Sequence, residues 1–447
     1  MSVFHISKGH NLKLKGKPSK KISDITDGEY ACVHPVQYKG VKPKLLVKEG
    51  DSVQTGQSLF FDKTKESVNF TSPATGIIEK IIFGNRRVVE KILIKRGSGS
   101  SIQLDKNSIE DISSEKIIKF LLGTGMWTFL RQRPFSKVPD PNCKPRAIFI
   151  SMINSAPFSL DLEFVLSDYK KDIINGIRMI KTLTDGKVYL SMNKGSSFFD
   201  GTDLGDGVEI NYFSGPHPTG NIGVQIHHIA PIANRDDIVW HLSTQDLIAI
   251  SKTYIEGDFY LDKIMSCGGV GIENPGYYKV KRGMLLKDIV GSIDHNKFRL
   301  ISGDVLSGTV AHSEDSFKTF DETISIIEEI QERDFVGWVL PGLNRYSLSN
   351  TFISSGIEKR DSNLNTALNG SIRAIIPFGR WDRYLPMDIF PDFLVKSILA
   401  SDVEQMEKLG IYECDPEDFA LCAFACQSKI EVSEIINKGL LLAEVEG

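Results

Sequence analysis

Apolar and polar residues alternate through much of the first hundred positions. In PKLLVKEGDSVQTGQSLF, residues 43–60, the alternation breaks at the turn sequences KEGD and QTGQ, around Gly50 and Gly56. A period of two punctuated by glycine predicts short, half-buried strands. GIIEKIIFGNRRVVEKILIKRG, residues 76–97, adds two more, joined through Gly84-Asn85. Many short strands without a helical period predict a small β-sandwich or barrel over residues 1–100.

The pattern changes after the flexible stretch GSGSSIQL, residues 97–104. SEKIIKFLLG has helical spacing from Ser114 to Leu122 and is expected to close at Gly123. KPRAIFISMI, KVYLSM and GVEINYFSG read as buried strands, with an amphipathic helix in LDLEFVLSDYKKDIINGIRMIKTLT and another from Thr244 to Glu256. Strands alternating with helices predict a Rossmann-like α/β domain over 101–256 with a mainly parallel sheet. Residues 257–330 read strand, NPG turn, strand, short helix and further strands, a β-grasp (SLBB-like) module. Residues 331–447 are expected to be mainly helical, with strand-like pieces at DFVGWVL and YSLSNTFIS, and with Ser401 and Asp415 at helix N-caps. The fold class is therefore multidomain α/β and α+β, as a chain of 447 residues requires.

Composition removes several function classes. Apolar residues make up 41% and charged residues 25%, as in an ordinary globular protein, and a net charge of −4 offers no basic face for nucleic acid. No run approaches the length of a membrane span, and the start, MSVFHISKGHNLKLKG, lacks the apolar core of a signal peptide. Six scattered cysteines form no disulfide framework. The expectation is a reduced, cytoplasmic protein.

Chemistry-bearing motifs are sparse. No GxGxxG follows a buried strand and GxxxxGK[ST] is absent, so no phosphate cradle is expected. Cys414, Cys422 and Cys426 lack the close pairing of iron–sulfur ligands and read as buried small hydrophobes on an apolar helix. SGPHPTGNIGVQIHHI, residues 214–229, is the least ordinary stretch. Its prolines and glycines, Gly215, Pro216 and Pro218 among them, force an irregular loop that brings in His217, with His227 and His228 expected to alternate on a following strand. Without carboxylate or cysteine support no metal site is expected. Two readings stay open: a shaped structural loop, or a polar lining whose imidazole N–H groups face a flat, carbonyl-bearing ligand.

FFDKTKESVNFTSPATGIIEKI, residues 60–81, resembles lipoyl and biotinyl carrier domains, in which a lysine at a hairpin tip bears the cofactor. Here TKESVNF separates Lys63 from Ser72, so Lys63 is expected to be unmodified.

Over essentially the whole chain, KPKLLVKEGDSVQTGQSLFFDK, FTSPATG, FSGPHPTGNIGVQIH, ISGDVLSG and PMDIFPDFL…ILASD…LG…ECDPEDFALCAFAC resemble the NqrA family, the A subunits of sodium-translocating NADH:quinone reductases. That family looks related to the C subunit of the Rnf complex and to the flavin subunit of complex I. In the flavin subunit a glycine-dense loop precedes the KPR strand, whereas this chain reads LLGTGMWTFLRQRPFSKVPDPNCKPRAIFI, with Met126, Trp127 and Phe129 where backbone would approach a phosphate. The acidic segment that follows in that relative is SMINSAP here, and the tandem CxxC motifs are missing.

The resemblance implies a peripheral subunit on the cytoplasmic face of the inner membrane, without catalytic residues, metal or redox cofactor of its own. FMN, FAD, riboflavin and iron–sulfur centres are then expected in the B to F partners, with the membrane-embedded B partner the foremost contact. Ubiquinone is the substrate, and Phe213, Gly215, Pro216, His217, Pro218, His227 and His228 are the residues expected to meet it. A purely structural assembly subunit and a free-standing carrier or flavin protein are the alternatives.

Overall fold

The computed structural model describes residues 2–331, 341–343, 345–349, 352–355 and 361–447. The chain opens with β1 (Ser2–His5) and β2 (Ser19–Asp24), which pair far along the sequence. Strands β3 (Tyr30–Val33), β4 (Pro43–Leu45), β5 (Ser52–Val53), β6 (Ser58–Asp62), β7 (Lys65–Thr71), β8 (Gly76–Phe83) and β9 (Val89–Arg96) follow without an α-helix among them. They form two small sheets, β3-β9-β8-β5 and β4-β6-β7. Phe60 and Phe70, paired across β6 and β7, stack at 4.4 Å and share one buried core with Ile78, Ile92 and Ile94 of the other sheet, so the alternating apolar positions close a sandwich.

The next block runs α1 (Ser114–Thr124), β10 (Arg131–Arg133), β11 (Ala147–Ser151), α2 (Leu162–Val165), α3 (Lys170–Lys181), β12 (Lys187–Asn193), β13 (Val208–Ser214), α4 (Ile222–Ile229), β14 (Val239–Ser243) and α5 (Thr244–Glu256). The sheet order is β1-β13-β12-β11-β14-β10, parallel except for β10. β11 is buried on both faces, which is why AIFIS reads as a continuous apolar run. Ser243 caps α5 by accepting from Asp246 N at 3.1 Å, and Gly257 ends it in the left-handed conformation, φ 72°. α1 does not stop at Gly123 as expected; it continues to Thr124 and Gly125 supplies the left-handed residue, φ 75°. A Cβ on Gly125 would lie 2.8 Å from the Thr71 side chain, so the stop is placed where the sandwich touches the helix.

Strands β15 (Asp262–Gly268) and β16 (Gly276–Lys281), α6 (Leu286–Val290), β17 (Phe298–Ser302), β18 (Thr309–Val310) and β19 (Thr323–Glu328) form the third block. Its order, β18-β17-β19-β15-β16-β2, sets β15 parallel to β19 between antiparallel neighbours, the β-grasp arrangement. DFVGWVL lies outside the described residues. The described part of YSLSNTFIS forms no strand; Ile353–Ser355 is a 3-10 turn. Beyond it come α7 (Pro391–Leu399), α8 (Val403–Lys408), α9 (Ala420–Ala425) and α10 (Val432–Glu446). Asp415 caps a 3-10 turn as expected, but α8 is capped by Asp402, which accepts from Gln405 N at 3.0 Å, while Ser401 takes φ 55° just before it. Among the described residues no helix is long and apolar enough to cross a membrane.

Candidate functional site

The loop from Ser214 to Asn221 joins β13 to α4 at the C-terminal end of the parallel strands, the end where ligands of α/β sheets bind. It is clasped by the N-terminal segment: Ile6 N donates to Ser214 O at 2.7 Å and His10 N to His217 O at 2.8 Å, while His217 N donates to Asn11 Oδ1 at 2.8 Å. The approach leaves no room for side chains. A Cβ on Gly215, φ 140°, would stand 2.1 Å from Ile6 O, and one on Gly9 2.1 Å from His217 O.

At the centre is His217, whose ring is buried. The Ser155 hydroxyl accepts from Gly220 N at 2.7 Å and lies 3.1 Å from His217 Nδ1. The hydroxyl still holds its own proton and a second lone pair, and when that proton is given to Nδ1 the imidazole proton sits on Nε2. Among the described residues Nε2 has no hydrogen-bond partner, so in that tautomer His217 keeps a free N–H donor. Burial lowers its pKa, against the pull of Asp304 on the facing β17–β18 turn. The ring is therefore neutral at neutral pH.

The other histidines are placed differently from the expectation. Residues 222–229 form α4, not a strand, because the Pro218–Asn221 turn starts a helix that buries Ile222, Val224 and Ile226. His227 and His228 sit at its far end, roughly 8–10 Å along the axis from its start at 1.5 Å per residue. Asp388 N donates to His227 Nε2 at 3.0 Å, which puts that ring's proton on Nδ1, 2.8 Å from Glu413 Oε2. His228 Nε2 donates to Pro386 O at 3.0 Å. Its pKa is lowered by burial and by His227. Both rings fasten α4 to the C-terminal region.

Phe213 is a core residue stacked on Phe4 at 4.9 Å, Pro218 is buried, and Pro216 and Gly215 reach the surface. The structure thus brings His217, Gly215 and Pro216 together and leaves Phe213, Pro218, His227 and His228 in supporting packing.

Ser155 is a site residue that no motif marks. Its one signal is position, four residues past the last residue of buried β11, at the ligand-binding end of the sheet.

The crevice between β11 and β14, where strand order reverses, holds the chain's own side chains. Gln245 Nε2 donates to Ile264 O at 2.9 Å and Ile264 N to Gln245 Oε1 at 2.7 Å, drawing β15 across it. A Cβ on Gly268 would meet Phe158 at 2.5 Å. Trp127 is fully buried, edge-on to Trp240 at 5.4 Å, and donates from Nε1 to Pro139 O at 3.1 Å. Phe129 lies under the Arg282 guanidinium at 4.4 Å. These aromatics fill the volume at 126–129.

Cys414, Cys422 and Cys426 are buried in the C-terminal core, and burial pushes the Cys422 and Cys414 thiols above their ordinary value. Among the described residues no group of three or more His, Cys, Asp or Glu side chains is placed to hold a metal ion.

Lys63 stands exposed at the tip of the β6–β7 hairpin. Asp62 pairs with Lys65, so Lys63-Thr64 is a two-residue turn. The stretch read as a lengthening insertion is simply the returning strand β7. Asp62 accepts from Thr64 N at 3.0 Å and Lys42 N at 3.2 Å, so the turn is held by its own aspartate.

One charged cluster has no local signature in the sequence. Arg133, on edge strand β10, is fully buried with Nη2 2.8 Å from Glu417 Oε1 and Nη1 3.6 and 3.5 Å from Asp415 Oδ2 and Asp418 Oδ2. Burial lowers the guanidinium pKa, but the three carboxylates outweigh it and raise it overall. One cation cannot neutralise three anions. Burial pushes Asp418 up to about 8 against the pull of Arg133, whereas Asp415, despite burial, is held low by Arg133, Lys39 and Ser136. The Asp418 Oδ1 atom is buried without a partner, which suits a protonated carboxyl. The cluster abuts the loop: Asn221 Nδ2 donates to Glu417 O at 3.1 Å, and a Cβ on Gly223 would meet Asp418 Oδ2 at 2.1 Å.

Two family models match the chain: the NqrA N-terminal barrel-sandwich hybrid domain over residues 4–97, and the NqrA second alpha/beta domain over residues 112–259. The chain is 35% identical over 450 residues to the A subunit of the Na(+)-translocating NADH-quinone reductase of Yersinia pseudotuberculosis serotype I (strain IP32953), covering 100% of both. It is 36% identical over 452 residues to that of Hahella chejuensis (strain KCTC 2396), again covering 100% of both. A solved NAD+-reducing [NiFe]-hydrogenase in the H2-reduced state overlaps 75% of this chain and 62% of its own at 13% identity and TM-score 0.38, a likeness that carries no weight for function.

Proposed function

The chain belongs to the NqrA family, the A subunits of Na(+)-translocating NADH-quinone reductases, and from that premise we propose that it is a peripheral subunit contributing one hydrogen bond to the quinone while helping to assemble the complex. The observation that carries this is the unpartnered Nε2 of His217. A benzoquinone headgroup offers carbonyl acceptors and needs a donor held in a fixed direction. With Ser155 donating to Nδ1 the ring proton stands on Nε2, Asn11 and His10 fix the backbone, and burial keeps the ring neutral, so it donates without bringing in a charge. Gly215 and Pro216 supply the exposed rim.

On this reading the chain lies on the cytoplasmic face of the inner membrane. NADH oxidation, the flavins and the iron–sulfur centres belong to partner subunits, and Na⁺ movement to the membrane subunits. The filled crevice at Phe158 and Gln245 supports assigning the flavin elsewhere. The test is equilibrium binding of a short-chain ubiquinone analogue to the isolated chain. Wild type and His228→Ala should bind alike, and His217→Ala several-fold more weakly. Equal affinity in all three removes the loop from the quinone site; no binding in any leaves an assembly role alone.

A further inference from the structure

Helix α7 buries one apolar side and exposes two large apolar residues on the other, on either side of Lys396. Leu394, Val395 and Ile398 face inward, and a Cβ on Gly439 of α10 would meet Ile398 at 2.6 Å. The opposite side carries Phe393 and Leu399, 62% and 58% exposed, with Phe390 just ahead of the helix at 61%. The Phe390 and Phe393 rings stand perpendicular at 6.3 Å. Gly379 N donates to Asp392 Oδ2 at 3.1 Å, which sets Phe378, 54% exposed, beside the helix, at the end of a segment that also exposes Ile372 and Ile376. Clustered exposed aromatics mark an interface.

Charge tells what covers it. The position a Cβ on Gly370 would take lies 3.7 Å from Arg373 Nη2 and 3.8 Å from Lys429 Cε, so the two cations flank one point. Arg380 spends its Nε on the Ala425 carbonyl at 3.1 Å. Burial, then repulsion from Arg373 and Arg380, holds the Lys429 ammonium below its ordinary value. Among the described residues no carboxylate forms an ion pair with Arg373, Arg380 or Lys429. Three uncompensated cations beside an apolar face call for an acidic partner. An anionic bilayer fits less well, because Asp388, exposed two residues ahead of Phe390, would meet its headgroups, whereas a protein partner can place its carboxylates opposite the cations alone.

We propose that the outer face of α7 and the 372–378 segment dock onto another subunit of the same reductase, against an apolar ridge bordered by carboxylates. This rests on the membership of the complex proposed above. Aromatic anchors at the centre would supply most of the affinity, and the cations at the rim its register and salt dependence.

The test places a benzoylphenylalanine photoprobe at position 393 in the complex assembled in its native membrane. A cross-link to a neighbouring subunit, mapping to apolar residues with Asp or Glu close by, is the expected result. In parallel, Phe393→Ser with Leu399→Ser should lower retention of the chain on the purified complex at least tenfold, with the melting temperature of the isolated chain unchanged. Arg373→Ala with Lys429→Ala should flatten the salt dependence of that retention. A cross-link to phospholipid, to a stretch without carboxylates, or to nothing overturns the docking surface. A complex that lacks the wild-type chain altogether overturns the proposed membership itself.

Discussion

The Ser155 hydroxyl lies 3.1 Å from Nδ1 of His217 and 2.7 Å from the amide of Gly220, so one side chain closes the loop and, in the proposed donor arrangement, gives its proton to Nδ1. The ring nitrogen shifts of His217 in NMR should therefore report the Nε2–H tautomer. An Nδ1–H tautomer would mean that the ring has no donor to offer. Ser155→Ala should cost about 1–2 kcal/mol of stability, the scale of the two bonds lost, and weaken quinone binding less than His217→Ala does.

His227 is expected to matter for folding and not for quinone. Its two nitrogens hold Glu413 and the Asp388 amide. His227→Ala should lower stability by about 1–3 kcal/mol in chemical denaturation, since it leaves Glu413 short of a partner, with quinone affinity unchanged. A loss of affinity without a loss of stability would return this histidine to the site.

Much of this was legible in the sequence, and the failures have physical causes. Alternation and glycine turns revealed β4, β5, β6, β8 and β9, and helical spacing revealed α5 from Thr244 to Glu256, because those signals are local. GVQIHHI misled because so short an apolar run fits either period, and only the turn at Gly220-Asn221 decides for helix. The pairing of β1 with β13 and the contact of Arg133 with Asp418, 285 positions apart, join residues that no local pattern connects. The histidines could be named from the loop; which of them kept a free nitrogen depended on Ser155, Asp388 and Pro386, and so on tertiary structure.

The Arg133 cluster predicts a pH dependence. Asp418, pushed up to about 8, keeps its proton in the folded chain where an unfolded aspartate, with a pKa of about 4, has lost it. Its contribution to stability is complete below that unfolded value and is lost as pH rises from about 4 to about 8. Asp415, held low, works in the opposite sense and loses its contribution as pH falls through the acid range. Asp418→Asn keeps the shape without the titration, so its melting temperature relative to wild type should climb between about pH 5 and pH 9. A constant difference would show that Asp418 holds no proton. Arg133→Met, which strands the Asp415 and Glu417 carboxylates, should cost about 3–5 kcal/mol.

Lys63 should carry nothing. The hairpin tip has the exposure a carrier lysine needs, yet its turn is stitched by Asp62 and the next residue but one, Lys65, donates to Val138 O at 3.0 Å, tying the hairpin down to the body of the protein. The mass of the chain purified from its own cells should equal that of the sequence, and Lys63→Arg should leave the complex fully active. An added acyl or biotinyl mass on Lys63 would contradict this.

The central claim is that His217 gives the quinone one hydrogen bond from a chain that carries no electrons itself. Its most direct test is steady-state kinetics of the assembled complex with His217→Ala. Losing one donor to a neutral carbonyl, about 1 kcal/mol, should raise KM for a water-soluble quinone roughly fivefold. NADH oxidation by an artificial acceptor that bypasses the quinone should be unchanged. An unaltered KM, or an equal loss with both acceptors, would contradict the claim.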